Sequence, residues 1–245
     1  MASEKLKEAI ILCGGLGTRL RAVVSDIPKP MAPVKDKPFV AYLLDYLQDQ
    51  GIERVILSVG YKWNTFRNKF GSYYGNIELN YAVETRQLGT GGALLNAVNQ
   101  LKHYSSFLAL NGDTWFPVEL EKLFSHHIRN SGDITIALTK VQNSDRFDYV
   151  QIDRFGSVTK LGIDRLSQSN NYINAGVYMI SPDAIRKSML NSDRQLSIEK
   201  EIIPQMIEAQ RRCLSFVSDT EFLDIGVPED YACATDVLSN YRRHA

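Results

Sequence analysis

The sequence predicts an α/β fold: a mostly parallel, twisted sheet flanked by helices, with a small antiparallel portion in its second half. Three observations predict it. Short apolar runs alternate with helix-period segments through the first half. The first run, Ala9-Ile10-Ile11-Leu12-Cys13, is apolar throughout and is closed by Gly14-Gly15. After Arg129 the rhythm changes to successive strand-like runs. A run without polar alternation marks a strand covered on both faces, and strands alternating with helices imply βα units.

Element by element, the first half reads as a strand over 9–13 and a helix over 39–50, whose Phe39, Leu43, Leu44 and Leu47 keep helical spacing before Gly51. Strands at 55–59 and 77–83, a helix at 90–101, a strand at 107–110 and a helix at 118–129 follow. The second half reads as strands 134–140, 149–153, 157–161 and 172–180, with Arg154-Phe155-Gly156 as a hairpin turn. Helices 182–190 and 198–209, a late strand 212–217 and a last helix 228–241 with Pro228 in its first turn complete the pattern. No repeat, low-complexity tract or linker interrupts it, so residues 1–245 are expected to form a single domain.

With 245 residues, 44% of them apolar and 23% charged, the chain can bury a substantial core in the manner of an ordinary soluble protein. Its 28 Lys and Arg balance 28 Asp and Glu, so no global field draws it to nucleic acid or to a membrane surface. A local basic pocket is compatible with that balance. Cys13, Cys213 and Cys233 are an odd, widely separated set without a CxxC pair, which points away from both a disulfide framework and zinc. The first residues are polar, and no run approaches the ~18 apolar residues of a membrane span. A reducing cytoplasm is the expected compartment.

Ligands of open parallel sheets bind at the carboxyl ends of the strands, so residues just past each strand are the first site candidates. The first strand leads into Leu12-Cys13-Gly14-Gly15-Leu16-Gly17-Thr18-Arg19-Leu20, three glycines ahead of a short predicted helix. Glycine lets backbone N–H groups approach an anion closely, and a helix N-terminus adds positive potential. Two common phosphate loops are excluded. A dinucleotide fingerprint needs a glycine where Leu20 stands and an acid after Ser58-Val59-Gly60, and a P-loop needs Gly-Lys-Ser/Thr where the chain has Gly17-Thr18-Arg19. Arg19 beside the loop and Lys29 shortly after it bring positive charge suited to a triphosphate. Of the chain's 8 prolines, Pro28, Pro30, Pro33 and Pro38 crowd around Lys29, which is therefore expected on a stiff, extended support. Asp113, after Leu110-Asn111-Gly112, and Asp224, after Phe222-Leu223, each close an apolar segment with an acid; a turn or helix cap is the structural alternative for both.

Taken together, Gly14-Gly15-Leu16-Gly17-Thr18-Arg19 and Pro28-Lys29-Pro30-Met31 resemble the signature of the sugar-phosphate nucleotidyltransferases. The resemblance continues in order through Leu88-Gly89-Thr90-Gly91-Gly92-Ala93, Leu110-Asn111-Gly112-Asp113, Asn174-Ala175-Gly176-Val177-Tyr178 and Phe222-Leu223-Asp224-Ile225-Gly226, across nearly the whole chain. It implies a Rossmann-like sheet whose antiparallel portion lies on the sugar side. It also implies a nucleoside triphosphate and a sugar 1-phosphate as substrates, with Mg2+ as cofactor. Leu12, Gly14, Gly15, Gly17, Thr18, Leu88, Gly89, Thr90, Asn111 and Gly112 would surround the nucleotide. Arg19 would contact its phosphates and Lys29 would bridge the reacting ones, Asp113 and Asp224 would hold the magnesium, and Asn174, Gly176, Glu199 and Lys200 would face the sugar phosphate. The wording Asn111-Gly112-Asp113-Thr114 and Asp224-Ile225-Gly226-Val227-Pro228-Glu229-Asp230 is most similar to the branch that transfers GMP from GTP to a heptose 1-phosphate. UTP, dTTP and CTP stay open as donors. In one place the chain departs from the family: many relatives carry Glu-Lys-Pro before the Asn-Ala-Gly block, where this sequence reads Val158-Thr159-Lys160-Leu161-Gly162-Ile163-Asp164-Arg165.

The implied reaction needs no Ser/His/Asp set, because the attacking phosphate oxygen is already an anion at neutral pH. Catalysis then reduces to positioning and to neutralising charge. His103, His126, His127 and His244 accordingly read as surface groups, and Trp63, Trp115, Phe70, Tyr73 and Tyr74 as core or interface packing residues, with stacking on a base or sugar as the alternative. The last helix is expected against the sheet or a second subunit, which leaves a homo-oligomer open. An oxidoreductase and a non-catalytic nucleotide-sensing module are the competing classes. The missing third glycine counts against the first, and the presence of Arg19, Lys29, Asp113 and Asp224 against the second.

Overall fold

The computed structural model describes residues 5–15, 27–102, 106–141, 147, 149–163, 171–187 and 195–241. Its first half contains strand β1 (Glu8–Leu12), the short strands β2 (Pro33–Val34) and β3 (Lys37–Pro38), helix α1 (Phe39–Asp49), β4 (Arg54–Val59), α2 (Asn64–Phe70), β5 (Tyr73–Tyr74), β6 (Ile77–Val83), α3 (Gly89–Val98), β7 (Phe107–Asn111), β8 (Thr114–Trp115) and α4 (Leu120–Arg129). The second half contains β9 (Ile134–Lys140), β10 (Tyr149–Ile152), β11 (Val158–Ile163), β12 (Tyr172–Ile180), α5 (Pro182–Lys187), a π-helical turn (Ile198–Ile202), α6 (Ile203–Glu208), β13 (Cys213–Val217), β14 (Leu223–Asp224) and α7 (Pro228–Asn240).

β1, β4, β6 and β7 are parallel neighbours, with Ile10 opposite Ile56 on one side and Ala109 on the other. β12 then runs antiparallel to β7 and to β9, and β10 and β11 extend that side as a hairpin. The expected mostly parallel sheet with an antiparallel portion is therefore present, as one ten-stranded sheet. Alternation along β1 divides the core: Ala9 and Ile11 face α1 and α7 through Phe39, Leu43, Leu47, Ala234 and Leu238. Ile10 and Leu12 face α3 and α6 through Ala93, Leu94, Ala97 and Met206. All strand residues of β1 and β4 are buried, the apolar ones as a strand covered on both faces requires, and Glu8 and Arg54 as an ion pair at 2.8 Å. Among the described residues, no helix is long and apolar enough to cross a membrane.

Four features differ from the sequence reading. The two-residue strands β2, β3, β5, β8 and β14, and the short helix α2, carry too little periodicity to be read. The single helix expected over 198–209 divides into the π-helical turn and α6, where Pro204 cannot donate the amide hydrogen that an unbroken α-helix needs. The segment carrying Lys29 is a 3-10 turn, Lys29–Met31, in place of an extended support, flanked by extended Pro28 (φ −59°, ψ 139°) and Ala32 (φ −55°, ψ 129°). His127 is not a surface group: at 1% exposure its ring lies between Thr135 Oγ1 (2.8 Å from Nδ1) and Ser181 Oγ (3.1 Å from Nε2). Trp115 and Phe70 are buried in the core, and Tyr73 is exposed.

Candidate active site

Lys29 reaches the sheet because its turn is pinned from both ends. The amide of Met31 donates to Pro28 O (2.8 Å) and that of Ala32 to Lys29 O (3.0 Å). Pro30 is buried against the end of β7: a methyl group on Gly112 would fall 3.2 Å from Pro30 Cγ and 2.8 Å from both Cys13 Sγ and Leu12 O. Gly112 thus lets the turn, the β1 end and the β7 end approach one another without a side chain between them. Its amide donates to Leu12 O (2.9 Å).

Asp113 and Asp224, remote in sequence, meet through the small ladder of β8 and β14. Thr114 pairs with Asp224 and Trp115 with Leu223, and the amide of Ile225 donates to Asp113 O (3.0 Å). Burial of Trp115, Leu223 and Ile225 anchors the ladder on the core beneath. The two carboxylates converge on Lys29, whose Nζ lies 2.6 Å from Asp113 Oδ2 and 3.4 Å from Asp224 Oδ1. Burial, then the charge of Asp113, holds the Asp224 carboxyl above the usual range; Lys29 and the Gly226 amide (2.7 Å from Oδ1) pull it back. Among the described residues no three His, Cys, Asp or Glu groups converge as metal ligands. Two carboxylates sharing one cation nevertheless suit an oxygen-preferring ion whose other ligands come from substrate and water.

Gly14 and Gly15 follow β1, the parallel neighbour of β7. A methyl group on Gly14 would fall 2.0 Å from Glu84 Oε1, so the glycine is what admits the Glu84 side chain. Glu84 extends from the end of β6, with its amide on Val59 O (2.8 Å) and its Oε2 accepting from the Leu88 amide (3.2 Å). Its Oε1 is buried without a hydrogen-bond partner, and burial pushes the carboxyl upward. Glu84 was absent from the sequence candidates. The signal that marks Asp113, an acid immediately past an apolar strand, marks it equally. Gly17, Thr18 and Arg19 lie outside the described residues, as do Asp164, Arg165, His103 and His244.

The remaining candidates form a second group. The start of α3 is joined to the segment before the π-helical turn: Leu196 N donates to Leu88 O (2.8 Å), and Gly91 N to Leu196 O (2.8 Å). Gly89, at φ 73°, has no room for a methyl group, which would stand 2.3 Å from Leu196 O. Thr90 Oγ1 donates to Glu199 Oε2 (3.1 Å) and accepts from the Ile198 amide (2.9 Å). In β12, Asn174 Oδ1 accepts from the Gly176 amide (2.9 Å) at a bulge where Gly176 takes φ 69°. A methyl group on Gly176 would lie 2.7 Å from Asn111 Nδ2, so Asn111 connects the two groups. Asn111 Oδ1 is itself buried without a partner. Lys200 follows Glu199 and is exposed.

A nucleotide would find glycine amides, Lys29 and two acids at the strand ends, and a second ligand would find Asn174 and Glu199 nearby. Comparison with known proteins identifies the family. The model of the Nucleotidyl transferase family matches residues 8–240. The chain is 41% identical over 237 residues to a D-glycero-alpha-D-manno-heptose 1-phosphate guanylyltransferase of Aneurinibacillus thermoaerophilus, covering 96% of this chain and 99% of that protein. It is 38% identical over 224 residues to the protein of that name from Campylobacter jejuni, covering 91% and 96%. The crystal structure of HddC from Yersinia pseudotuberculosis superposes with a TM-score of 0.81 at 33% identity, covering 94% of this chain and 99% of that one; HddC has also been crystallised with GMP-PN. Similarity of this extent, over nearly the full length of both partners, makes the chain a member of the nucleotidyl transferase family.

Proposed function

We propose that the chain acts as a single-domain, magnesium-dependent guanylyltransferase that transfers GMP from GTP to a heptose 1-phosphate, releasing pyrophosphate. The observation that carries the reading is the convergence of Lys29, Asp113 and Asp224 past the end of β7, the parallel neighbour of the strand that leads into Gly14 and Gly15. The names of the relatives from A. thermoaerophilus and C. jejuni support the choice of sugar. A phosphate oxygen of the sugar 1-phosphate attacks the α-phosphorus in line, the α–β bridging bond breaks, and pyrophosphate leaves. Lys29 and Arg19 neutralise charge on the triphosphate, while Asp113 and Asp224 would hold Mg2+, which when bound supplies a Lewis-acid clamp on phosphate oxygens. No side chain need remove a proton, since the nucleophile arrives as an anion.

Glu84, whose Oε1 has no partner within the described residues, is the group assigned to guanine in this reading. Guanine presents adjacent N1–H and N2–H donors on its pairing edge, and an ionised carboxylate accepts two such bonds. Uracil and thymine present one donor between acceptors and leave a carboxylate oxygen against a carbonyl. Pyrophosphate release from GTP, UTP, dTTP and CTP, each with several sugar 1-phosphates and with and without Mg2+, tests the reading. GTP with a heptose 1-phosphate should lead by at least ~100-fold, and Glu84→Gln should lower the GTP-over-UTP preference by about 10-fold or more. An equal rate with UTP in the wild-type protein contradicts guanine as the base.

A further inference from the structure

Glu199 is held by more of the fold than a surface carboxylate needs. It sits in the π-helical turn, capped by Ser197, whose Oγ accepts from the Lys200 amide (3.1 Å) and donates to Glu199 Oε2 (2.9 Å). Thr90 Oγ1 donates to the same oxygen (3.1 Å). From beneath, the hydroxyl of Tyr178 donates to Glu199 Oε1 (2.8 Å) and accepts from Asn174 Nδ2 (2.7 Å). The Tyr178 ring is 0% exposed within the core under α3 and α6, so its hydroxyl is aimed at Glu199 by packing on every side.

A carboxylate offers roughly four lone-pair directions. Within the described residues, Ser197 and Thr90 take the two on Oε2 and Tyr178 takes one on Oε1. One direction on Oε1 is left for a ligand, and its orientation is set by the bond that Tyr178 makes to the same atom. We infer that Tyr178 is a positioning residue for acceptor binding: through Glu199 it aims a single carboxylate lone pair at one hydroxyl of the sugar 1-phosphate, while Thr90 fixes the other oxygen from the nucleotide-side helix. The inference rests on the proposed transferase reading and adds that Glu199 recognises one hydroxyl rather than a pair. Burial, with the Glu199 charge next, keeps the Tyr178 phenol far above its usual ionisation range, so it remains a donor throughout the working pH range.

A double-mutant cycle with the full chain tests it, using GTP and the best sugar 1-phosphate. Tyr178→Phe keeps the ring and should raise KM for the sugar about 10-fold, with kcat and the KM for GTP changed less than about twofold. Glu199→Gln should raise the same KM, and the double variant should fall well short of the product of the two single effects, because Tyr178 acts chiefly through that carboxylate and only its bond from Asn174 Nδ2 is independent of it. Thr90→Val should shift the sugar KM in the same direction, which keeps the test decisive if Tyr178→Phe folds poorly. Multiplying effects in the double variant, or an unmoved sugar KM in both Tyr178→Phe and Thr90→Val, overturn the inference alone. A wild-type protein that forms product from no sugar 1-phosphate overturns the transferase reading and this inference with it.

Discussion

Replacing Lys29 by alanine separates the electrostatic contribution of this side chain from the rest of the site. Its ammonium lies 2.6 Å from Asp113 and 3.4 Å from Asp224, and the side chain is only 11% exposed, so solvent cannot take its place cheaply. In turnover the loss should resemble removal of one preorganised donor from a dry site, at least ~100-fold, or about 2.7 kcal/mol or more. Without substrate the change also strands two carboxylates. Two unit charges at most about 6 Å apart repel by about 3 kcal/mol or more at an effective dielectric of about 20, and partial exposure of both acids screens this to roughly 1–2 kcal/mol. Single-turnover pyrophosphate release at saturating GTP, sugar 1-phosphate and Mg2+ measures the first quantity. Thermal unfolding without nucleotide, with and without millimolar Mg2+, measures the second. Lys29→Ala should lower Tm in chelator and regain part of the loss in Mg2+, because the cation replaces the ammonium between the acids. Turnover within tenfold of wild type would refute the electrostatic argument.

Two further outcomes are expected. Asp113→Asn and Asp224→Asn should each raise the Mg2+ concentration for half-maximal rate by about 10-fold or more, read from metal titrations of pyrophosphate release, because each removes half of the charged oxygen set. His127 gives a pH effect far from the site: burial lowers its pKa from 6.5 to about 4, so the folded protein keeps the ring neutral where the unfolded chain protonates it. The unfolded state therefore binds more protons between pH 6.5 and 4, and stability falls as the pH drops through that window, by up to ~3 kcal/mol from this group. Denaturant unfolding of wild type and His127→Gln across pH 7 to 4 should show the variant with the shallower loss; parallel curves would refute the assignment.

Much of the sheet was legible because its strands are long and unambiguous. The strands at 77–83, 134–140 and 172–180 appear with the bounds read from their apolar runs, β6, β9 and β12. Periodicity fails where elements are brief. β8 and β14 hold two residues each, yet they carry Asp113 and Asp224 to one place. His127 was misread as exposed although Leu120, Leu123, Phe124 and His127 share one face of α4 at helical spacing, and all four are buried. Reading the spacing before the polarity of the residue would have placed it inside. Glu84 escaped because no glycine-loop motif names the acid beneath the loop, although it follows β6 as Asp113 follows β7.

What the sequence determined by itself was the membership of a family, the alternation of strand and helix, and the residue types offered at the strand ends, since these are properties of local order and composition. Only the tertiary structure decided that Lys29 stands between Asp113 and Asp224, that Glu84 lies under Gly14, and that Tyr178 holds Glu199 from within the core. Those are contacts between segments far apart in the chain. They depend on where parallel strands end and on which glycines leave room for a neighbour, and no local pattern encodes them.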